Sequence, residues 1–219
     1  MEYKDIKPLI DSIPDFGWMS SERQREYMFN LGKVTTCAAE IGTYKGLSAA
    51  IVGLGMKDAE DKETHRSYYC IDTFYSSNVE LDGLETFEAF IKNMKTVGVF
   101  VAPELKVLKS GSGIGGWEDD TIKTERSGIQ PIIGFSYQSI VTNIVPLLDW
   151  IYIDGSHETP DVLHDIELYH PKVKEGGLLL FHDHTWPSVR KAVDIAVRKN
   201  LIEVVEIFDD FGVYRKVTI

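Results

Sequence analysis

Only two cysteines, Cys37 and Cys70, occur in the 219 residues, too few for the disulfide framework of a secreted scaffold. Both fall in apolar, strand-like runs, where buried free thiols are expected; if their strands are neighbours, the sulfurs could lie close together. No apolar run approaches the length of a membrane span. The opening Met1-Glu2-Tyr3-Lys4-Asp5 lacks the apolar stretch of a secretory leader, so the expected location is the cytoplasm. Basic residues are outnumbered: 23 Lys and Arg against 34 Asp and Glu leave a net charge of −11. Nucleic acids and anionic membranes attract basic surfaces, so this balance argues against both as partners. The glycine-rich stretch 110–117 contains no Gly-Lys-Ser/Thr pair, which excludes a phosphate loop there. No repeat or inter-domain linker is visible, and residues 1–219 are expected to form one domain with a full core.

What is present organises around Glu40-Ile41-Gly42-Thr43-Tyr44-Lys45-Gly46-Leu47-Ser48. An apolar run leads into it and a helical run, 47–56, leads out, the strand–glycine turn–helix pattern of a nucleotide-type site. An acid before the first glycine would repel a pyrophosphate. It would suit a ligand carrying ammonium, sulfonium and ribose hydroxyls, as S-adenosylmethionine does. Glu40, Gly42, Thr43 and Tyr44 are therefore cofactor candidates. The bland alternative is a tight turn with a surface Glu.

Taken in order, residues 1–18 read as an irregular arm with one short helix, and 20–31 as a helix capped by Ser20 or Ser21 and ended by Gly32. This N-terminal segment, 1–33, is a candidate lid or dimer attachment, and a homodimer is the assembly it would suggest. Strands are expected at 36–41 and 67–71, the second ending in Asp72, well placed for ribose hydroxyls. Asp72 lies about 30 residues beyond Gly42, further than the roughly 20 of an NAD fingerprint. Residues 85–97 carry Phe87, Phe90, Ile91 and Met94 on one helical face, with Gly98 as a stop. Residues 105–108 could be a strand. The region from about 100 to 128 reads as an insertion before the third strand, with Trp117, Glu118, Asp119 and Asp120 as candidate pocket residues. Strand three, 129–136, ends at Ser136, and a helix is expected over 137–145. A buried strand ends at Asp154, a helix over 159–169 starts with Thr159 as cap and Pro160 at its first position, and Gly176-Gly177 punctuates before strand 178–181. A helix over 188–199 and antiparallel strands at 202–208 and 213–217 close the chain. The fold class is α/β: a Rossmann-like, doubly wound, mostly parallel seven-stranded sheet with an antiparallel last strand.

Glu40, Asp72, Ser136, Asp154, His182 and Asp183 all fall at predicted strand C-ends, the edge where such sheets bind ligands. Asp154 with His182 and Asp183 can hold a divalent cation, magnesium or manganese by its mostly oxygen ligands, with zinc or iron as alternatives. Such an ion would acidify a substrate hydroxyl and hold it against a methyl donor. His157 or His184 is a candidate general base. The competing reading is that Asp154 only contacts the cofactor and the histidines satisfy backbone groups. His164 and His170 on the intervening helix, and His65 in a charged loop, are left out.

The first motif resembles that of class I methyltransferases, close to the caffeoyl-CoA-type O-methyltransferases. Together with Phe90-Ile91-Lys92-Asn93-Met94, the stretch 130–136, Trp150-Ile151-Tyr152-Ile153-Asp154-Gly155-Ser156-His157 and the stretch 165–183, the chain resembles the methyltransferase group called family 24 over about 36–183. The resemblance implies that Glu40, Gly42, Asp72 and Asp154 surround an S-adenosylmethionine site. Some relatives are sugar and macrolide O-methyltransferases that use magnesium, which implies a small-molecule acceptor, conceivably a sugar. Metal-binding relatives carry acidic pairs after strand five where this chain has His182-Asp183, a departure that keeps Asp183 as a ligand and puts His182 in question. The rival readings are an NAD-dependent oxidoreductase on the same sheet and a non-catalytic cofactor-binding module.

Overall fold

The computed structural model describes residues 1–16, 20–61, 63–74, 83–102, 106–107 and 128–218. Two helices come first, α1 (Tyr3–Asp11) and α2 (Glu22–Val34). Alternation then sets in: β1 (Cys37–Ile41), α3 (Leu47–Asp58), β2 (Ser67–Asp72), α4 (Gly83–Thr96), β3 (Lys106–Val107), β4 (Gly128–Ile133) and α5 (Ser139–Ile144). The C-terminal half continues with β5 (Leu148–Ile153), α6 (Thr159–Tyr169), β6 (Val173–Phe181), α7 (Pro187–Arg198), β7 (Ile202–Phe208) and β8 (Phe211–Lys216). One sheet runs β3-β4-β2-β1-β5-β6-β8-β7. All strands from β3 to β6 pair in parallel, whereas β8 is antiparallel to both β6 and β7.

The seven expected strands are present, and β3, within the stretch 105–108 that could be a strand, is an eighth. It pairs only Lys106 and Val107 with Ile132 and Ile133. Part of the expected insertion thus belongs to the sheet, since Val101 also bridges Ile129. The pocket candidates Trp117, Glu118, Asp119 and Asp120 lie outside the described residues.

Side chains alternate across the sheet, as strand geometry requires. Ala38, Tyr68, Cys70, Trp150, Tyr152 and Val213 face the core under α1, α2, α3 and α4. Ala39, Ile41, Tyr69, Ile71, Ile151, Ile153 and Phe181 face the core under α6 and α7. The same alternation separates the cysteines. Cys37 is opposite Ser67 and Cys70 opposite Glu40, so neighbouring strands put the thiols on opposite faces, and both are free.

Three sequence expectations shift for physical reasons, and the choice between Ser20 and Ser21 is decided. Gly32 does not end its helix, because α2 runs to Val34 and needs a glycine where it crosses α3. A Cβ on Gly32 would sit 2.5 Å from the carbonyl oxygen of Val52, and one on Gly55 2.2 Å from that of Phe29. Ser21, not Ser20, is the cap, accepting from the Gln24 amide. Thr159 is the first helical residue rather than the cap, a place held by Glu158, and its hydroxyl donates to the Ser188 carbonyl instead. Gly176-Gly177 lies inside β6, at a register shift opposite Leu148 and Trp150. Gly98, by contrast, ends α4 as expected, with φ +69° and the amides of Gly98 and Val99 closing on Lys95 and Met94.

The α2–α3 crossing has no room for a methyl group. Gly55→Ala is expected to lower stability by about 1–3 kcal/mol through overpacking, measured by urea unfolding; an unchanged midpoint would show that the helices can part without cost.

Candidate active site

The C-terminal edge of the parallel strands is laced by backbone hydrogen bonds. Gly134 donates to Asp72, Gly42 to Ile71, Asp154 to Ile41 and His182 to Ile153, at 2.9, 2.9, 2.9 and 3.2 Å. These bonds bring the predicted site residues to one line. Above them opens a cavity of about 870 Å³, within the range of small-molecule sites.

At its centre is the glycine turn. Gly42 has φ +91°, Tyr44 +49° and Gly46 +88°, so the chain reverses tightly before α3 begins at Leu47. Asp72, at the end of β2, organises the turn: Oδ2 accepts from the Tyr44 amide and Oδ1 from the Phe74 amide, both at 2.6 Å. The Thr43 amide also bonds this carboxylate, and with about four lone-pair sites it keeps capacity for a ligand hydroxyl. Burial raises the Asp72 pKa against the lowering effect of these amides.

Gly42, Thr43, Tyr44, Asp72, Ser136 and Asp154 all line the cavity, as expected; Glu40 is not among the lining residues. It lies one residue before the strand end, paired in register with Cys70 and Tyr152, and its side chain turns into the core beneath the turn. There Tyr68 Oη donates to Glu40 Oε2 at 2.9 Å, and Ser48 Oγ donates to the same oxygen. Glu40 is 0% exposed, and burial outweighs these hydrogen bonds to push its pKa up to about 7.

The second corner of the cavity holds Asp154, His182 and Asp183, whose ligand atoms all lie within 4.8 Å of one another. His182 Nδ1 is 3.0 Å from Asp154 Oδ1 and 3.3 Å from Asp183 Oδ2. Neither contact is aligned as a hydrogen bond, and both imidazole nitrogens are buried without a hydrogen-bond partner among the described residues. Burial disfavours the charged ring, but Asp154, Asp183 and Asp210 outweigh it and raise the His182 pKa to about 9. Converging, poorly aligned donors of this kind fit a cation of mixed oxygen and nitrogen ligation. His157 stands at the edge of the group, Nε2 2.6 Å from Asp183 Oδ2, its ring 4.8 Å from that of Trp186.

His184 does not join them. Asp183 adopts a left-handed backbone, φ +48°, which breaks the strand alternation. His182 and Asp183 therefore both face the cavity, while His184 turns under the β7–β8 hairpin. Its amide donates to the Asp210 carbonyl and its Nε2 is 2.7 Å from Tyr214 Oη. Burial lowers its pKa. His184 is therefore absent from the cavity lining, whereas the other base candidate, His157, is part of it.

Three groups of lining residues were not foreseen. Phe16, Ser20, Gln24 and Met28 enter from the N-terminal segment. Tyr152, two residues before Asp154 on the same strand face, reaches Asp154 Oδ2 with its hydroxyl at 3.1 Å. Asp161, His164 and Asp165 also line the cavity, and their i, i+3, i+4 spacing on α6 was the available signal. Asp165 accepts from Ser136 Oγ at 2.6 Å, and burial lifts its pKa to about 6. His170, by comparison, only meets the Leu201 carbonyl.

A doubly wound sheet with a glycine turn, an acid closing strand two and an Asp–His–Asp corner defines a class I methyltransferase architecture. The family model Methyltransf_24, a methyltransferase domain, matches residues 39–184, and the chain belongs to that family. Among solved structures, the cofactor-bound Rv0187 from MTB superposes with a TM-score of 0.63 at 11% identity, covering 97% of this chain and 88% of that one. The O-methyltransferase of Bacillus cereus in complex with SAH gives 0.60 at 11%, covering 99% and 90%. The O-methyltransferase NovP gives 0.56 at 13%, covering 98% and 80%. These likenesses establish the fold. A curated relative, the uncharacterized protein R132 of Acanthamoeba polyphaga mimivirus, is 34% identical over 76 residues, 31% of this chain and 34% of its own length; the chain thus matches about a third of that relative. Among the described residues, no helix is long and apolar enough to cross a membrane.

Glu40 makes stability depend on pH. It titrates near 7 when folded and near 4.5 as a free side chain, so between these values the folded state holds the extra proton. Stability therefore falls as pH rises through that window, by about 3 kcal/mol from this group. Glu40→Gln is expected to lose that much less than the parent protein between pH 4.5 and 8 in urea unfolding; equal losses would mean Glu40 is ionised throughout.

Proposed function

We propose that this chain is an S-adenosylmethionine-dependent O-methyltransferase acting on a hydroxyl of a small acceptor, a sugar or glycosylated metabolite. A divalent cation, magnesium or manganese, would be held by Asp154, His182 and Asp183. The observation that carries this reading is the charge of the cavity, which among the described residues is lined by five aspartates and a single lysine, Lys45. That field favours a sulfonium, an ammonium and a dication, and opposes the pyrophosphate of NAD. An oxidoreductase is disfavoured on the same ground. A non-catalytic module would have no use for the convergent Asp154–His182–Asp183 group. The SAH bound to the Bacillus cereus enzyme and the O-methyltransferase identity of NovP support the cofactor and reaction by analogy of fold. The net charge of −11 argues against a nucleic-acid acceptor; the compartment in this reading is the cytoplasm.

In this reading the Tyr44 and Phe74 amides hold the Asp72 carboxylate ready for the two ribose hydroxyls, and Gly42 keeps the turn clear of side chain. A bound S-adenosylmethionine would supply an electrophilic methyl group for direct displacement by the acceptor oxygen, its thioether being the leaving group. A cation at Asp154, His182 and Asp183 would lower the pKa of the acceptor hydroxyl. His157, at the cavity edge with Nε2 2.6 Å from Asp183 Oδ2, accepts the hydroxyl proton. No protein nucleophile takes part, so the protein's contribution is alignment and exclusion of water.

Calorimetric titration with S-adenosylhomocysteine, with and without magnesium, tests the cofactor. Binding is expected for the parent protein and loss of it for Asp72→Ala; no binding under any condition would overturn the assignment. Asp154→Ala should reduce turnover of an acceptor found by screening sugars by more than the roughly 10–100-fold typical of an outer-shell metal partner. Ordinary turnover in that variant would remove the cation from the mechanism.

A further inference from the structure

The proposed chemistry leaves Gln24 without a role, although this side chain enters the cavity wall from α2 and is 1% exposed. Its Nε2 donates to Tyr152 Oη at 3.0 Å, and that hydroxyl donates to Asp154 Oδ2 at 3.1 Å. The three groups form a relay with one direction. A carboxylate only accepts, so the single hydroxyl hydrogen of Tyr152 belongs to Asp154. The Tyr152 oxygen can then only accept, and the Gln24 amide must offer it nitrogen. With the amide reversed, two oxygens would compete for one hydrogen. The amide oxygen left over, Oε1, is buried without a hydrogen-bond partner among the described residues.

The relay acts on the geometry of Asp154. With Oδ2 engaged by Tyr152, Oδ1 is the oxygen presented to the cluster, 3.0 Å from His182 Nδ1. Rotation of the carboxylate would break the Tyr152 hydrogen bond. Tyr152 itself is held: its ring packs on Phe211 at 5.9 Å and meets the edge of His182 at 6.4 Å. We propose that Gln24 and Tyr152 are positioning residues that fix the Asp154 carboxylate for a divalent cation, so that the N-terminal helix is a working part of that corner. The proposal rests on the cation reading given above.

Manganese binding, followed by electron paramagnetic resonance of the free ion, tests it without an acceptor. The parent protein is expected to bind Mn2+. Tyr152→Phe should weaken that binding about 10-fold, the scale of a lost outer-shell partner, and Gln24→Met by a smaller factor. Because Gln24 acts through Tyr152, the double variant should be no weaker than Tyr152→Phe alone. S-adenosylhomocysteine affinity should stay within about twofold in all three, since the relay does not touch the glycine turn. Unchanged Mn2+ affinity in Tyr152→Phe, or multiplied effects in the double variant, would overturn the relay while leaving the cation reading intact. Parallel loss of S-adenosylhomocysteine binding would mark a collapsed cavity and overturn a positioning role. A parent protein that binds S-adenosylhomocysteine but no Mn2+ would overturn the cation reading and the relay together.

Discussion

The site depends on one close approach, that of β1 to β5 at their C-terminal ends. A Cβ on Gly42 would lie 2.1 Å from the Asp154 carbonyl oxygen and 2.8 Å from the Gly155 nitrogen. No side chain fits there, and the positive φ of Gly42 independently favours glycine. This contact lets the turn that would carry a cofactor lie against the strand end that carries Asp154. Displacing it would separate the two halves of the site, because their relation is set by backbone rather than by adjustable side chains. The glycine turn and the Asp–His–Asp corner are thereby joined through backbone contact, the arrangement that catalysis by alignment requires.

Around that contact the protein gathers negative charge against its own stability. Burial raises the pKa values of Glu40 and Asp165 to about 7 and about 6 and also raises that of Asp72, which means the folded state resists their ionisation. Partial relief comes from hydrogen-bond donors, the Tyr44 and Phe74 amides for Asp72 and the Ser136 hydroxyl for Asp165. A cationic ligand would supply what these donors do not. Anything that binds the folded state alone also stabilises it, so the acid lining links ligand binding to folding.

The strand ends were legible because their signals are local. An apolar run that stops at an acid can be read without tertiary information, and Asp72, Ser136, Asp154, His182 and Asp183 all reached the cavity. Glu40 and His184 show where the same logic fails. Whether a residue at a strand end faces ligand or core depends on a single step of alternation, and the left-handed Asp183 shifts that step for His184. Glu40 stands one position too early, on the core face. Gly32 misled for a related reason: a glycine that stops a helix and one that admits a neighbouring helix look alike until the neighbour is known. The contributions of α2 were illegible in a stronger sense. Gln24 and Tyr152 are 128 residues apart, and no periodicity links them.

That long-range contact is one of several that fasten α2 over the sheet. Ser21 donates to Asp209 at 2.6 Å, and Arg23 pairs with Glu206, so the helix is tied to the β7–β8 hairpin. The ring of Tyr27 packs on Phe208 and Phe211 at 5.7 and 5.9 Å. On its other side the paired glycines Gly32 and Gly55 set α2 directly against α3, the helix that follows the glycine turn. The exposed ion pair contributes little by itself; the aromatic packing and the glycine crossing are what hold the helix. An N-terminal helix fixed from both sides cannot serve as a freely swinging lid. Its cavity residues, Gln24 above all, therefore behave as wall, and selectivity exerted by them would come from fixed shape and hydrogen bonding rather than from closure over a bound ligand.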